Sequence, residues 1–142
     1  MNVHFGFRHI AFRVAQLARS ADFYEKVFGL RRLPTQDEGR MCVLTSPGMR
    51  DVLTLSESSV PTEIEGLPIG SVGTMGGVDH VGIEVADRQT LEEVVQRCLD
   101  AGGTLVGKVE MVPGYPSAFV RDLDGYFLQL YAFSEQIRER FA

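Results

Sequence analysis

Two stretches of this chain carry one pattern. His9-Ile10-Ala11-Phe12-Arg13-Val14 and His80-Val81-Gly82-Ile83-Glu84-Val85 each open on histidine and alternate apolar with polar or small residues. Each is followed by a segment of helical spacing that ends at glycine. A repeat of this kind restricts the chain to folds built from two copies of one unit. Because a β-strand sends successive side chains to opposite sides, Ile10, Phe12 and Val14 share one face and His9, Ala11 and Arg13 the other. Val81, Ile83 and Val85 oppose His80, Gly82 and Glu84 in the same way. Each histidine thus lies on the less apolar face of its strand, away from the side that packs on a helix, where a ligand site can be built.

The helical segments and the strands after them follow the same order twice. Leu17, Ala21, Tyr24, Val27 and Phe28 recur at helical spacing, and Gly29 is placed to end the helix in a left-handed conformation. Extended segments are expected around Arg31 to Leu33, Met41 to Thr45 and Val52 to Ser56, with Pro47-Gly48 as the turn between the last two. In the second copy Leu91, Val94, Val95, Cys98 and Leu99 form the stripe, Thr90 and Glu93 have capping-box spacing, and Gly102-Gly103 ends the helix. Strands are expected at Thr104 to Val109, Ala118 to Arg121 and Tyr126 to Tyr131, the last two joined by the turn Asp122-Leu123-Asp124-Gly125. The order is β-α-β-β-β in both copies. Residues 57 to 77, rich in glycine and proline, read as the connection, folded as a lid. Residues 134 to 142, with Ile137 and Phe141 among charges, read as a short terminal helix. His4 lies outside the repeat and receives no role.

The chain has 142 residues and 44% hydrophobic content, enough for one domain made of two half-domains with a real interior. Module one is expected at about 7–57, the connection at about 58–77, module two at about 78–133 and a tail at 134–142, together forming a single domain. With 14 basic against 19 acidic residues the formal charge is −5, and no basic cluster exceeds pairs such as Arg31-Arg32. Nucleic acid is therefore not an expected partner. No export signal and no run of apolar residues long enough to span a membrane is recognised. Cys42 and Cys98 lack metal-ligand spacing and read as reduced thiols, so the expected location is the cytoplasm.

The repeated unit, the opening HIAFRVAQLARSADFYEKVFGL and the closing FVRDLDGYFLQLY resemble the vicinal oxygen chelate superfamily. That superfamily includes glyoxalase I, extradiol dioxygenases, fosfomycin-resistance enzymes and bleomycin-resistance proteins. The resemblance covers roughly residues 7 to 133 and implies an α+β fold, two tandem βαβββ modules forming a curled, mixed eight-stranded sheet with helices on its outer face. It also implies a homodimer and a cleft in which each module offers metal ligands from its first and last strands. Carried over by position, the first-strand ligands are His9 and His80, and the last-strand positions are Thr54 and Gln129. Alternation agrees independently, since Thr54 and Gln129 oppose the apolar pairs Leu53/Leu55 and Leu128/Leu130.

The departure from the family pattern is chemical. Metal-dependent members place glutamate at one or both last-strand positions, and this chain has it at neither. Two imidazoles, an amide and a hydroxyl leave a divalent cation with its full charge, which lowers affinity, although His9, His80 and Gln129 suit Zn, Ni or Fe, with Mn the harder alternative. The other reading of the two histidines is as cleft-lining side chains with no metal. Thr54 reads as a substrate contact or an ordinary strand residue. Arg13 and Glu84 occupy equivalent places on the two first strands. Arg13 suits a substrate carboxylate and Glu84 a general base or ligand contact, against plain surface charge pairing. Glu57 is a substitute carboxylate if a bulge shifts the register. Tyr115, Phe119, Tyr126, Phe127 and Tyr131 supply aromatic surface, with Phe127 and Tyr131 placed by parity beside Gln129.

Two functional readings follow from the resemblance. One is a metal-dependent lyase, isomerase or dioxygenase acting on a small molecule with adjacent oxygens. The other is a metal-free binding protein that sequesters a planar or aromatic compound in the same cleft.

Overall fold

The computed structural model describes residues 9–34, 39–48, 51–57, 63–64, 67–68, 80–110 and 113–140, with backbone alone at 63–64, 67–68, 138 and 140. The chain divides into two compact units, Met1–Glu65 and Gly66–Ala142. The expected lid lies outside the described residues, apart from two two-residue strands, β5 (Glu63–Ile64) and β6 (Leu67–Pro68). So do His4 and Phe141.

The first unit runs β1 (His9–Val14), α1 (Leu17–Phe28), β2 (Arg31–Leu33), β3 (Met41–Thr45) and β4 (Val52–Glu57). Its four strands hydrogen-bond in the order β1-β4-β3-β2, with β1 parallel to β4 and the other neighbours antiparallel. Alternation sends Phe12, Val14, Leu44, Leu53 and Leu55 into the core, where α1 contributes Leu17, Ala21, Tyr24 and Val27. Phe23, which lies outside the expected stripe, is also buried, edge-on to Tyr24 at 5.4 Å. Gly29 ends α1 at φ 67°, its N–H donating to the Glu25 carbonyl.

The second unit repeats this with β7 (Val81–Glu84), α2 (Arg88–Asp100), β8 (Thr104–Glu110), β9 (Pro116–Arg121) and β10 (Phe127–Tyr131), followed by α3 (Glu135–Arg140). The strand order is β7-β10-β9-β8, again with one parallel pair, β7 to β10. The eight strands of the tandem βαβββ fold thus form as four and four, each sheet carrying a helix on its apolar face.

Two local expectations are corrected. The N-cap of α2 is Asp87, whose carboxylate accepts from the Thr90 N–H at 2.7 Å. Thr90 is therefore the third helical residue and not the cap, because Asp competes strongly for that position. Leu99, read into the buried stripe, is 38% exposed, since the core face of α2 turns away from it after Cys98. Ile137 of α3 is buried, and the Ser134 N–H just before that helix donates to the Gly114 carbonyl. Among the described residues no helix is long and apolar enough to cross a membrane.

Candidate functional site

The polar face of the first sheet is set by register. Ala11 pairs with Thr54 in the parallel β1–β4 ladder, so the side chain of His9, two residues earlier on the same face, reaches the threonine diagonally. His9 Nε2 lies 2.8 Å from Thr54 Oγ1. The histidine is exposed and the threonine buried. Further along this face the Arg13 guanidinium donates to the backbone carbonyl of Glu57 at 3.3 Å. The Glu57 carboxylate accepts from the Leu17 N–H at 3.0 Å. Gln16, the residue preceding α1, makes no side-chain cap, so Glu57 fills that role from another strand. Glu57 is therefore engaged at a helix start instead of standing in as a carboxylate beside His9.

The second sheet has a richer face. Its register places Phe127 opposite Arg121, Gln129 between Phe119 and Gly82, and Tyr131 between Ser117 and Glu84. His80, one residue before the β7 ladder, falls beside Phe127. Its ring stands edge-on to Phe119 at 5.8 Å and to Phe127 at 6.3 Å, while those two phenyl rings stack at 5.2 Å and 23°. His80 Nε2 is 3.1 Å from Gln129 Oε1. The Gln129 amide nitrogen donates to Tyr115 Oη at 3.1 Å and to Ser117 Oγ at 3.2 Å. Three of the four hydrogen-bonding positions of this buried amide, both N–H donors among them, are thus used within the unit. Tyr115 stacks on Phe133 at 4.9 Å and meets Tyr131 edge-on at 5.6 Å.

Sequence parity put Phe127, Gln129 and Tyr131 on one face with His80 and Glu84, and the structure places them there. It does not bring Glu84 near His80, which lies two residues back along β7 from Gly82. Tyr126 sits in the turn, its N–H donating to Asp122 Oδ1 at 2.8 Å. Ser117, Arg121 and Phe133 were not singled out. Alternation through Ser117, Phe119 and Arg121 was the available signal for the first and second, and Phe133 lies beyond β10, where no periodicity reaches it.

A resident metal is a poor match to these donors. Within each unit one imidazole meets one neutral oxygen, and among the described residues no group of three or more His, Cys, Asp or Glu is placed to hold an ion. Two recesses lined by described residues lie away from the histidines. One of about 540 Å³ lies against α1, lined by Leu17, Ala21, Arg32, Met41 and Cys42, and another of about 180 Å³ lies beside α2. The chemistry of the two histidine faces marks them as the candidate site.

The family model of the Glyoxalase/Bleomycin resistance protein/Dioxygenase superfamily matches residues 6–130, both histidine strands and both closing strands included. This chain belongs to that superfamily. Among solved structures, the superfamily fold recurs in a glyoxalase/bleomycin resistance protein/dioxygenase family enzyme from Burkholderia phytofirmans PsJN. That structure has 13% identity and a TM-score of 0.73, covering 89% of this chain and 97% of the other. The fosfomycin resistance protein FosX from Listeria monocytogenes matches with 16% identity and a TM-score of 0.70, covering 96% of this chain and 99% of the other. Lactoylglutathione lyase from Agrobacterium tumefaciens matches with 20% identity and a TM-score of 0.65, covering 89% and 92%. No curated protein matches. At these identities the solved structures establish the superfamily fold and leave the activity to be argued from the residues.

Proposed function

We propose that this superfamily member binds a small planar or aromatic molecule on the face carrying His80 and Gln129, without a resident metal. The observation supporting this reading is the composition of that face: two stacked phenyl rings, a histidine edge-on to both, and a glutamine where metal-dependent relatives are expected to carry a carboxylate. Aromatic walls with a few fixed polar groups suit a flat organic ligand, which gains from stacking and from one or two directed hydrogen bonds. Neutral donors leave a dication uncompensated, whereas an organic ligand needs no such compensation.

A second reading has its own support. His9 Nε2 to Thr54 Oγ1 and His80 Nε2 to Gln129 Oε1 span 2.8 and 3.1 Å. Two donors each about 2.1 Å from one cation at a right angle stand about 3 Å apart, so both pairs have the spacing of shared ligands. Under that reading each pair would offer Zn, Ni, Fe or Mn one imidazole and one neutral oxygen, from His9 with Thr54 in the first unit and His80 with Gln129 in the second, and a bound ion would supply Lewis-acid stabilisation of a developing oxyanion.

Elemental analysis of untagged protein, followed by calorimetric titration of the apo form with Zn, Ni, Fe(II) and Mn, separates the two. Sub-stoichiometric metal with no micromolar binding supports the metal-free reading. Stoichiometric metal that is lost in His9→Ala and His80→Ala overturns it. A cytoplasmic homodimer is part of the same proposal, supported by family resemblance and two free thiols. Sedimentation velocity tests the dimer.

A further inference from the structure

We infer that the molecule bound on this face is an anion: a flat aromatic compound bearing a carboxylate, sulfonate or phosphate, its acidic group held by Arg121. The inference rests on the aromatic-binding reading above and adds the charge of the ligand.

Arg121 closes β9 directly opposite Phe127. Its guanidinium carbon stands 5.0 Å from the Phe127 ring centroid, and Nη1 donates to the Gly125 carbonyl at 2.9 Å. A guanidinium has five N–H groups in one plane, and stacking on a ring leaves the edges of that plane available. One N–H is used on Gly125, the residue is exposed, and no carboxylate pairs with it among the described residues. A planar guanidinium fork held beside an aromatic wall is suited to bidentate capture of an oxyanion.

Space for the aromatic body lies next to that wall. Phe119 pairs across the sheet with Gly107, at a register shift between Leu105 and Gly107 in β8. A Cβ built on Gly107 would meet nothing within 4 Å, so the sheet surface beside Phe119 is open where any other residue would fill it. The charges on the face are also polarised. Arg121 occupies one corner, and Glu84, paired with Tyr131, occupies the diagonally opposite one. Among the described residues of this face Arg121 is the only permanent cation. An acidic substituent is thus drawn toward Phe127 and repelled from the Tyr131 end.

The test uses the full chain and two probes of the same shape, 2-naphthoate and its neutral counterpart 2-naphthamide, titrated by calorimetry. At low salt naphthoate is expected to bind about tenfold more tightly, as a charge-assisted bidentate contact would give. That advantage should shrink as salt is raised toward 1 M, while naphthamide binding stays flat. Arg121→Met should remove the preference and keep naphthamide affinity, and Phe119→Leu should weaken both probes alike. Equal affinities in the unaltered protein, or a salt-insensitive preference, overturn the anion inference and leave aromatic binding standing. Binding of neither probe overturns both. The salt series needs no variant, so it decides the matter even if Arg121→Met does not fold.

Discussion

The imidazole Nε2 of His80 stands 3.1 Å from the amide oxygen of Gln129, and that oxygen is aimed by bonds on the far side of the same amide. With the amide nitrogen donating to Tyr115 and Ser117, the acceptor end faces the histidine, an arrangement that calls for the His80 tautomer carrying its proton on Nε2. Gln129→Leu removes the connecting group and strands three partners. It should cost about 1–3 kcal/mol, the usual penalty for leaving buried polar groups unmatched, read from urea denaturation. The chemical shifts of the His80 ring nitrogens should move away from the Nε2–H tautomer in the same variant. A ring that keeps its tautomer would show that Gln129 does not set it.

Gln129→Glu places a carboxylate where metal-dependent relatives are expected to have one. The expected outcome is a gain of about tenfold or more in affinity for Zn or Ni, since the new ligand brings a negative charge to a set of neutral donors. Calorimetry on the variant and the unaltered protein checks this. An unchanged affinity would argue that His80 and residue 129 do not address a common ion.

Glu57 supports a helix that its own neighbours leave uncapped. Replacing it with alanine removes the acceptor for the Leu17 N–H and should destabilise the protein by about 1 kcal/mol, the effect of losing an N-terminal cap. Glu57→Gln keeps an acceptor and should lose less. Equal losses in the two variants would point to charge rather than capping.

Gly103 is fixed by packing. A Cβ there would lie 2.5 Å from Cys98 Sγ and 2.8 Å from the Arg121 carbonyl oxygen, and one of those is backbone. Gly103→Ala should therefore cost about 1–3 kcal/mol through overpacking, whereas Gly107→Ala, which meets nothing, should cost little beyond its effect on the neighbouring surface. Thermal unfolding of the two variants side by side gives the comparison.

Burial, and secondarily the Asp122 carboxylate, pushes the Cys98 thiol up from 9.0 to about 11. The folded state therefore holds this proton when the unfolded chain has released it. The stability it contributes is complete below pH 9 and is lost as pH rises from about 9 through 11. Unfolding free energy measured from pH 8 to 11 should fall in the native protein and fall less in Cys98→Ala. The thiol should also resist alkylation at pH 8, because the thiolate is the reactive form.

Much of the fold was readable from local pattern. Period-two alternation in His9–Val14 and Val81–Glu84 assigned faces correctly, because a strand's geometry admits only one alternation and a buried helix on one side penalises the other register. Helix ends at Gly29 and Gly102-Gly103 were readable for a similarly local reason. The start of α2 was not, since Asp87 and the Thr90 to Glu93 spacing were competing caps and the backbone settled on the aspartate. The capping role of Glu57 was not readable, because its partner, the Leu17 N–H, is distant in sequence and no spacing rule links a strand's end to a helix's first turn.

For the candidate site, the sequence by itself determined which residues share a face: His9 with Thr54, and His80 with Phe127, Gln129 and Tyr131. That follows from alternation within single strands together with the order of the repeat. Only the tertiary structure decided who answers whom. The diagonal reach of His9 to Thr54, the three bonds of Gln129, the stacking of Phe119 on Phe127 and the placement of Arg121 over that ring all depend on strand register. Register is fixed by how an entire apolar face meets its helix, a property of the assembled sheet that no one segment contains.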